Sequence, residues 1–231
     1  MQVHVLASGS KGNAYLIGSE YSSRILLDCG IPLKQININS GWKKFDICLI
    51  SHEHKDHCKA VKDVIRHGAA VYMPKEMKGK MGFGESNVFG LEDRASVVTV
   101  DWSIKAFGLH HDVQTLGYVI QNFSTKEKLI YITDTMYCKY KFTNVTHWLI
   151  ECNYSKDIID ENVASGGLHH KLRNRIVKTH MSLETAKELL LANDLSKTKE
   201  IWLLHLSDAN SDAVRFKREI QEVTGVPVCL G

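Results

Sequence analysis

The alternation of hydrophobic and polar positions along the first two thirds of the chain predicts a series of short β-strands. Runs of β-branched, aromatic and other apolar residues are separated by polar or glycine-containing turns. The predicted strands are residues 3–6, 14–17, 24–28, 46–50 and 70–73, four runs between residues 96 and 133, and residues 147–150. The glycine-containing stretch 73–90 predicts a loop or a short helix.

Helical spacing of apolar residues appears between and after these strands. Residues 57–67 carry apolar side chains at positions 60, 61, 64 and 65, which predicts a helix. Residues 183–192 predict a second helix, and Ser182 is placed to cap its N-terminus. Residues 211–223 predict a third, and residues 201–204 and 226–230 predict two last strands. Residues 161–178 are polar, contain glycine and become basic towards their end, which is typical of a solvated loop.

Strands grouped early and late, with helices between them, favour an α/β fold. The arrangement predicted is a four-layer αββα sandwich, in which two sheets pack together and helices cover their outer faces. The sequence shows no internal repeat, low-complexity tract or linker rich in Pro, Gly or Ser. We therefore expect residues 1–231 to form a single domain.

Composition narrows the function classes only slightly. The chain is 44% hydrophobic and 24% charged, and its net charge of +3 neither requires nor excludes a polyanionic partner. No run reaches the roughly 18 apolar residues of a membrane span, and the first residues resemble no secretion signal. The six cysteines form neither a CxxC pair nor a disulfide-like pattern. These features predict a cytoplasmic protein with reduced cysteines and no membrane partner.

The unusual feature of the composition is its twelve histidines. A group of four residues after the strand 46–50 indicates which chemistry they could support. His52, His54, Asp56 and His57 lie within six residues. In an extended segment His52 and His54 project to the same side, and Asp56 and His57 fall where a helix begins. Neutral imidazole and carboxylate are ligands for zinc, manganese or iron. A chance cluster of histidines in a polar loop is the alternative.

Further candidate ligands follow later strands, where loops gather functional residues. Each of them taken alone has an ordinary structural explanation, such as a hydrogen-bonded histidine or a turn-forming aspartate. They are His110, His111, Asp112, Asp134, His180 and His205.

The HxHxDH motif, the supporting Asp28 and the order of the later candidates resemble the metallo-β-lactamase superfamily. Shorter motifs resemble its WalJ-like (YycJ) subgroup, which is related to the RNase J and RNase Z nucleases. They are LASGSKGNA, LHHD, YITDT, LIECNYS, the THMS segment with its LETAKELL helix, and LLHLSDAN.

The resemblance implies two divalent metal ions, Zn²⁺ or Mn²⁺, and no other cofactor. One ion would be bound by His52, His54 and His111, and the other by Asp56, His57 and His205. Asp134 would bind both ions. His111 is preferred to His110 because the subgroup has its histidine directly before an aspartate, here Asp112. Asp28 would orient a ligand imidazole through its second nitrogen.

The resemblance also implies catalytic roles for Asp56 and His180. Asp56 would hold the attacking water or accept its proton, and His180 would stabilise phosphoryl oxygens or protonate the leaving oxygen. The alternative is that residues 179–182 are only a capped helix start. The glycine-rich loop 8–13 would line the site with backbone donors. Three basic residues before His180 belong either to a solvated loop or to a phosphate-binding segment; they are Lys171, Arg173 and Arg175.

The activity implied is hydrolysis of phosphodiester bonds. The preferred substrate is single-stranded DNA or RNA cleaved by an exonuclease, as in WalJ-like proteins. The chain lacks a β-CASP insertion, and few aromatic residues lie beside the metal motifs to stack on bases. A cyclic mononucleotide phosphodiesterase, like the phage anti-Pycsar proteins that degrade immune signals, is therefore the main alternative. A thioesterase or another small-molecule hydrolase of the same fold is the second alternative. Relatives are often homodimers, so a second copy of the chain is one expected partner.

Overall fold

The computed structural model describes residues 1–20 and 22–231. These residues form two compact units. Unit 1 comprises Met1–Gly108 and Val113–Glu127, and unit 2 comprises Leu109–Asp112 and Lys128–Gly231. Within the described residues no helix is long and apolar enough to cross a membrane.

Unit 1 contains the strands of the first half of the chain and four short helices between them. Its strands are β1 (Gln2–Ala7), β2 (Ala14–Gly18), β3 (Ile25–Leu27), β4 (Ile47–Leu49), β5 (Ala70–Pro74), β6 (Val88–Leu91), β7 (Ser96–Val98), β8 (Trp102–Leu109) and β9 (Thr115–Asn122). Its helices are α1 (Leu33–Asn39), α2 (Lys55–Cys58), α3 (Val61–Arg66) and α4 (Lys75–Met81).

The first sheet of unit 1 changes from antiparallel to parallel pairing along its strand order β1-β2-β3-β4-β5-β6. The pairs β1–β2 and β2–β3 are antiparallel, whereas β3–β4, β4–β5 and β5–β6 are parallel, with the helices α1 to α4 in the crossovers. In the β3–β4 pair Leu27 is the register partner of Leu49. The segments after β3 and β4 therefore leave the sheet at the same edge, where ligands of parallel sheets bind.

The predicted helix 57–67 is wrong as one continuous element, since it consists of α2 and α3 with a break at Lys59 and Ala60. The amide of Ala60 donates to the carbonyl of Cys29 (2.9 Å), and the carbonyl of Asp56 accepts from the amide of Asn13 (2.7 Å). The backbone groups that would continue the helix across this point are thus used by two other segments. The break holds α2 against the loops after β1 and β3.

Unit 2 contains the later strands and the longer helices. Its strands are β10 (Lys128–Ile132), β11 (His147–Glu151), β12 (Glu200–Leu204) and β13 (Val228–Leu230), and its helices are α5 (Lys156–Ala164), α6 (His170–Thr179), α7 (Leu183–Leu191) and α8 (Ala213–Thr224). The strands pair in the order β10-β11-β12-β13 and are all parallel. Their carboxyl ends therefore meet at one edge of the sheet.

Most elements predicted from the sequence are confirmed, including the helix that Ser182 caps through its hydroxyl, which accepts from the amide of Thr185 (3.2 Å). The polar stretch 161–178, for which no element was predicted, belongs mostly to α5 and α6, so its basic residues lie on a helix and not in a loop. These helices have few buried residues, so their sequence is polar, and Arg173 of α6 donates to Asp160 of α5 (2.8 Å). The strand β6 falls in the stretch predicted as a loop or a short helix.

Candidate metal centre

The HxHxDH residues of unit 1 follow β4 at the carboxyl edge of its parallel strands. The imidazole centroids of His52 and His54 lie 4.6 Å apart, and those of His52 and His57 lie 4.3 Å apart. Asp56 and His57 lie on α2, and the Asp56 Oδ2 atom is 3.4 Å from the His57 Nε2 atom. His52 and His57 are fully buried. The structure therefore brings together all four residues of the motif, as its spacing predicts.

Asp28 holds this group from the neighbouring strand. Its fully buried carboxylate accepts from His57 Nδ1 (2.7 Å), from the Ser51 amide (2.7 Å) and from the Ser51 hydroxyl (2.8 Å). Since a carboxylate can only accept, the proton of a neutral His57 is on Nδ1, and Nε2 keeps its lone pair. That is the tautomer a metal ligand needs, and a carboxylate at the second nitrogen is the usual outer partner of such a histidine.

The glycine-rich loop after β1 supports α2 instead of presenting a row of free amides. The Asn13 side-chain amide lies 3.1 Å from His57 Nε2, and the Asn13 carbonyl accepts from the Gly30 amide (2.8 Å). A Cβ atom on Gly30 would lie 1.6 Å from the Asp56 carbonyl oxygen. Only glycine fits here, because the loop after β3 passes directly against the backbone of α2.

A second group gathers at the carboxyl edge of the parallel strands in unit 2. Asp134 follows β10, Glu151 ends β11, His205 follows β12, and His180 ends α6. Each of these four side chains offers one ligand atom, and these atoms all lie within 4.8 Å of one another. Two imidazoles and two carboxylates suit a divalent ion such as zinc or manganese.

Glu151 is the centre of this group, and the sequence analysis assigned it no role. Its fully buried carboxylate accepts from the amides of Thr135 (3.0 Å) and Met181 (3.1 Å) and forms a short hydrogen bond with His180 Nδ1. His205 Nδ1 lies 3.5 Å from the same carboxylate. The motif LIECNYS contains the signal that could have found it, since an acidic residue ending a fully buried strand needs polar partners.

The electrostatics of the Glu151–His180 pair favour a charged imidazole. Burial alone would lower the pKa of His180, but the adjacent Glu151 carboxylate outweighs burial and raises this pKa above its ordinary value. Burial likewise opposes ionisation of Glu151, yet His180 and His205 bring its pKa below the ordinary value. Both pKa shifts favour the ion-paired state of Glu151 and His180, and His180 Nδ1 also lies 3.9 Å from Asp134 Oδ2.

His110 and His111 differ clearly in their surroundings. His111 Nδ1 donates to the Thr179 carbonyl (2.9 Å), and its Nε2 lies 3.1 Å from Asp112 Oδ1 and 3.9 Å from Asp134 Oδ2. Burial lowers the pKa of His111, which keeps the imidazole neutral. His110 is exposed, and its ring lies against Tyr137 at a centroid distance of 5.7 Å. The geometry thus favours His111 as a ligand.

Three residues, one beside the unit 1 group and two in the unit 2 group, have a left-handed backbone that side chains rarely adopt. They are Asp28 (φ 54°), Asp134 (φ 28°) and His205 (φ 52°). Each follows the carboxyl end of a strand by one or two positions. Such backbone conformations are concentrated at functional sites, where the surrounding structure holds a side chain in place despite the conformational cost.

The remaining predicted residues lie away from this chemistry or only support it. Lys171, Arg173 and Arg175 lie on α6, and Arg173 is paired with Asp160. Cys58 is buried, and its thiol donates to the Glu53 carbonyl (3.2 Å). The amide of Asn153, unpredicted from the sequence, donates to the His205 carbonyl (2.9 Å) and lies 3.1 Å from His205 Nδ1.

Comparison with known proteins identifies the family. Residues 23–206 match the model of the beta-lactamase superfamily domain. The chain belongs to this superfamily. It has the α/β metallo-β-lactamase fold and is a hydrolase of that superfamily, and its His/Asp groups are compatible with divalent metal binding.

Relatives of this superfamily chain include nucleases. The chain is 28% identical over 229 residues to exodeoxyribonuclease WalJ of Streptococcus pneumoniae, covering 90% of this chain and 82% of WalJ. The metallo-β-lactamase fold protein YhfI of Bacillus subtilis superposes with a TM-score of 0.72 at 16% identity, covering 99% of this chain and 95% of YhfI. Human tRNase Z, short form, superposes with a TM-score of 0.65 at 16% identity, covering 100% of this chain and 96% of tRNase Z.

Proposed function

We propose that this hydrolase cleaves phosphodiester bonds with two divalent metal ions and acts as an exonuclease on single-stranded nucleic acid. The observation that carries the proposal is the His180–Glu151 ion pair beside Asp134. An alkoxide leaving from phosphorus needs a proton, and a charged imidazole next to candidate metal ligands can supply it. The similarity to the exodeoxyribonuclease WalJ over most of both chains supports a nucleic acid as the substrate.

The ligand assignment that we propose follows the superfamily resemblance. It treats residues 1–231 as one domain. One ion is assigned to His52, His54 and His111, the second to Asp56, His57 and His205, and both to Asp134. The donor chemistry fits, because these are imidazoles and carboxylates only. His57 and His111 support the assignment further, since each has a protein acceptor at Nδ1, which leaves Nε2 as the nitrogen that would face a metal ion.

The side chains then have distinct tasks during hydrolysis. The ions, when bound, would stabilise charge on the phosphoryl oxygens and lower the pKa of the attacking water. Asp56, whose side chain is 27% exposed, accepts a proton from that water as its oxygen attacks phosphorus. His180 gives its proton to the leaving oxygen as the P–O bond breaks. Glu151 keeps His180 charged and oriented.

The test is a substrate panel with protein purified once with manganese and once with zinc. The panel contains 5′-phosphorylated single-stranded DNA, the matching RNA and 3′,5′-cyclic mononucleotides, with His52→Ala as the control. The proposal expects shortening of the oligonucleotides by wild type only. Hydrolysis of cyclic mononucleotides alone would replace it with the signal-degrading phosphodiesterase. Equal rates for His52→Ala and wild type would contradict both functions.

A further inference from the structure

His110, the histidine of the HHD motif that is not assigned as a metal ligand, lies beside another aromatic residue. His110 is exposed, and its ring lies 5.7 Å from that of Tyr137 with an interplanar angle of 38°. Tyr137 is itself 44% exposed. Two neighbouring aromatic rings thus face solvent. In the sequence, His110 directly precedes His111, and Tyr137 follows Asp134 by three residues. Few aromatic residues lie beside the metal motifs in the sequence, and this pair is one that the fold brings together.

The backbone that carries both rings is held by Thr135, which also contacts Glu151 of the candidate centre. Thr135 Oγ1 lies 3.1 Å from the His110 carbonyl oxygen and 2.8 Å from that of Tyr137, and it accepts from the His110 amide (3.0 Å). The Thr135 amide in turn donates to Glu151 (3.0 Å). A surface fixed in advance loses little conformational freedom when a ligand binds to it.

Two cations follow Tyr137 in a segment that is neither helix nor strand. Tyr137, Lys139 and Lys141 are exposed, while Cys138 and Tyr140 between them are partly covered. One aromatic ring and two ammonium groups therefore face solvent within five residues. Among residues 1–20 and 22–231, neither lysine takes part in an ion pair, although the Lys139 ammonium lies 5.3 Å from the centre of the Tyr140 ring. Both charges are therefore available to an anion.

We propose that His110 and Tyr137 form a platform on which a nucleobase of the substrate stacks, and that Lys139 and Lys141 bind the phosphates next to it. This inference rests on the proposed function and gives it a recognition surface. Aromatic rings combined with a cationic track are the usual means of binding single strands without reading their sequence. A mononucleotide shares the nucleobase but has no further phosphates to reach the lysines.

Binding of a fluorescent single-stranded DNA, followed by anisotropy, tests the platform. Tyr137→Ala should weaken binding by about 5- to 100-fold, whereas Tyr137→Phe, which keeps the ring, should stay within about twofold of wild type. The matched control is Phe123→Ala, another exposed aromatic, which should bind like wild type. With an abasic strand of equal length the difference between Tyr137→Ala and wild type should disappear. Unchanged affinity of Tyr137→Ala for normal DNA would overturn the platform.

The lysines are tested by the salt dependence of the same binding. The double variant Lys139→Ala/Lys141→Ala should bind more weakly and reduce the slope of log K against log salt by about 1 to 1.5, the value for two phosphate contacts on a single strand. An unchanged slope would overturn their role. A second arm uses cyclic mononucleotides: Tyr137→Ala should weaken their binding as it does for DNA, whereas the double lysine variant should leave it unchanged, and a loss in the double variant would overturn the phosphate track.

Failure of the proposed function has a different signature. If wild-type protein loaded with manganese or zinc hydrolyses no phosphodiester, including bis(p-nitrophenyl) phosphate, the catalytic proposal fails whatever the anisotropy shows. If wild type cleaves DNA but Tyr137→Ala binds normal and abasic strands equally to wild type, the catalytic proposal stands and the platform fails.

Discussion

The two candidate ligand groups are held by different means. In unit 1 the residues His52 to His57 are adjacent in sequence and are fixed by close backbone contacts of Asn13 and Gly30 with α2, in addition to the Asp28 carboxylate. In unit 2 the residues come from four separate elements and are fixed by one buried side chain, Glu151. A backbone support tolerates few side chains near it, whereas a carboxylate support depends on charge. The first group should be sensitive to volume and the second to ionisation.

The largest effect is expected when a proposed metal ligand is removed from either group. His52→Ala in unit 1 and Asp134→Ala in unit 2 should each abolish hydrolysis, because the proposal assigns both to one catalytic centre. Elemental analysis should find fewer than two metal ions per chain. An Asp134→Ala protein with full activity and two bound ions would contradict the role of Asp134 at both ions.

The volume sensitivity of unit 1 is tested by Gly30→Ala. The new methyl group would overlap the Asp56 carbonyl, so the free energy of unfolding should fall by about 3 kcal/mol or more, measured by denaturant titration. Gly79→Ala is the control in the same unit, since a Cβ atom there meets no atom within 4 Å and alanine favours the helix α4. If Gly30→Ala and Gly79→Ala had equal stability, close backbone contact at Gly30 would not be what supports the unit 1 group.

The chemical role of unit 2 is tested by His180→Ala. Turnover should fall by about 10²-fold, the scale of a lost general acid, while the metal content stays that of wild type. His170→Ala, an exposed histidine on the same helix α6, should have wild-type turnover. Loss of metal from His180→Ala would instead make His180 a ligand, together with the other members of the unit 2 group.

The ionisation sensitivity of unit 2 is tested by Glu151→Gln, for which we expect a turnover loss of about tenfold. His180 acts while protonated, so activity declines as pH rises through its pKa. The Glu151 carboxylate raises that pKa, and its removal should move the basic limb of the kcat–pH profile to lower pH. Glu188→Gln, an exposed control on α7, should leave the limb in place. An unmoved limb in Glu151→Gln would separate Glu151 from the proton donor.

The difference between the two groups also explains what could be predicted from the sequence. The HxHxDH motif is local, so strand and helix periodicity alone place its four side chains together. The unit 2 group depends on parallel pairing of β10, β11 and β12, which brings residues 134, 151 and 205 to one edge. The order of motifs identified most of this group through the superfamily resemblance. Glu151 was missed because a carboxylate between two histidines has no spacing signal.

Local periodicity failed where another segment supplies or takes a backbone hydrogen bond. The helix 57–67 was predicted as continuous because its apolar spacing is regular, but Cys29 accepts the amide of Ala60. The helices α5 and α6 were missed because their polar faces dominate their composition. In both cases the decisive contact joins residues far apart in sequence, which no short window of residues contains.

The left-handed backbone at Asp28, Asp134 and His205 implies a trade between catalysis and thermodynamic reserve. Each such residue costs on the order of 1 kcal/mol or more that glycine would not. Glycine would remove that backbone cost, but at Asp28 it would also remove the buried carboxylate that accepts from His57 and Ser51. Engineering for heat resistance would therefore leave these positions untouched and gain stability elsewhere.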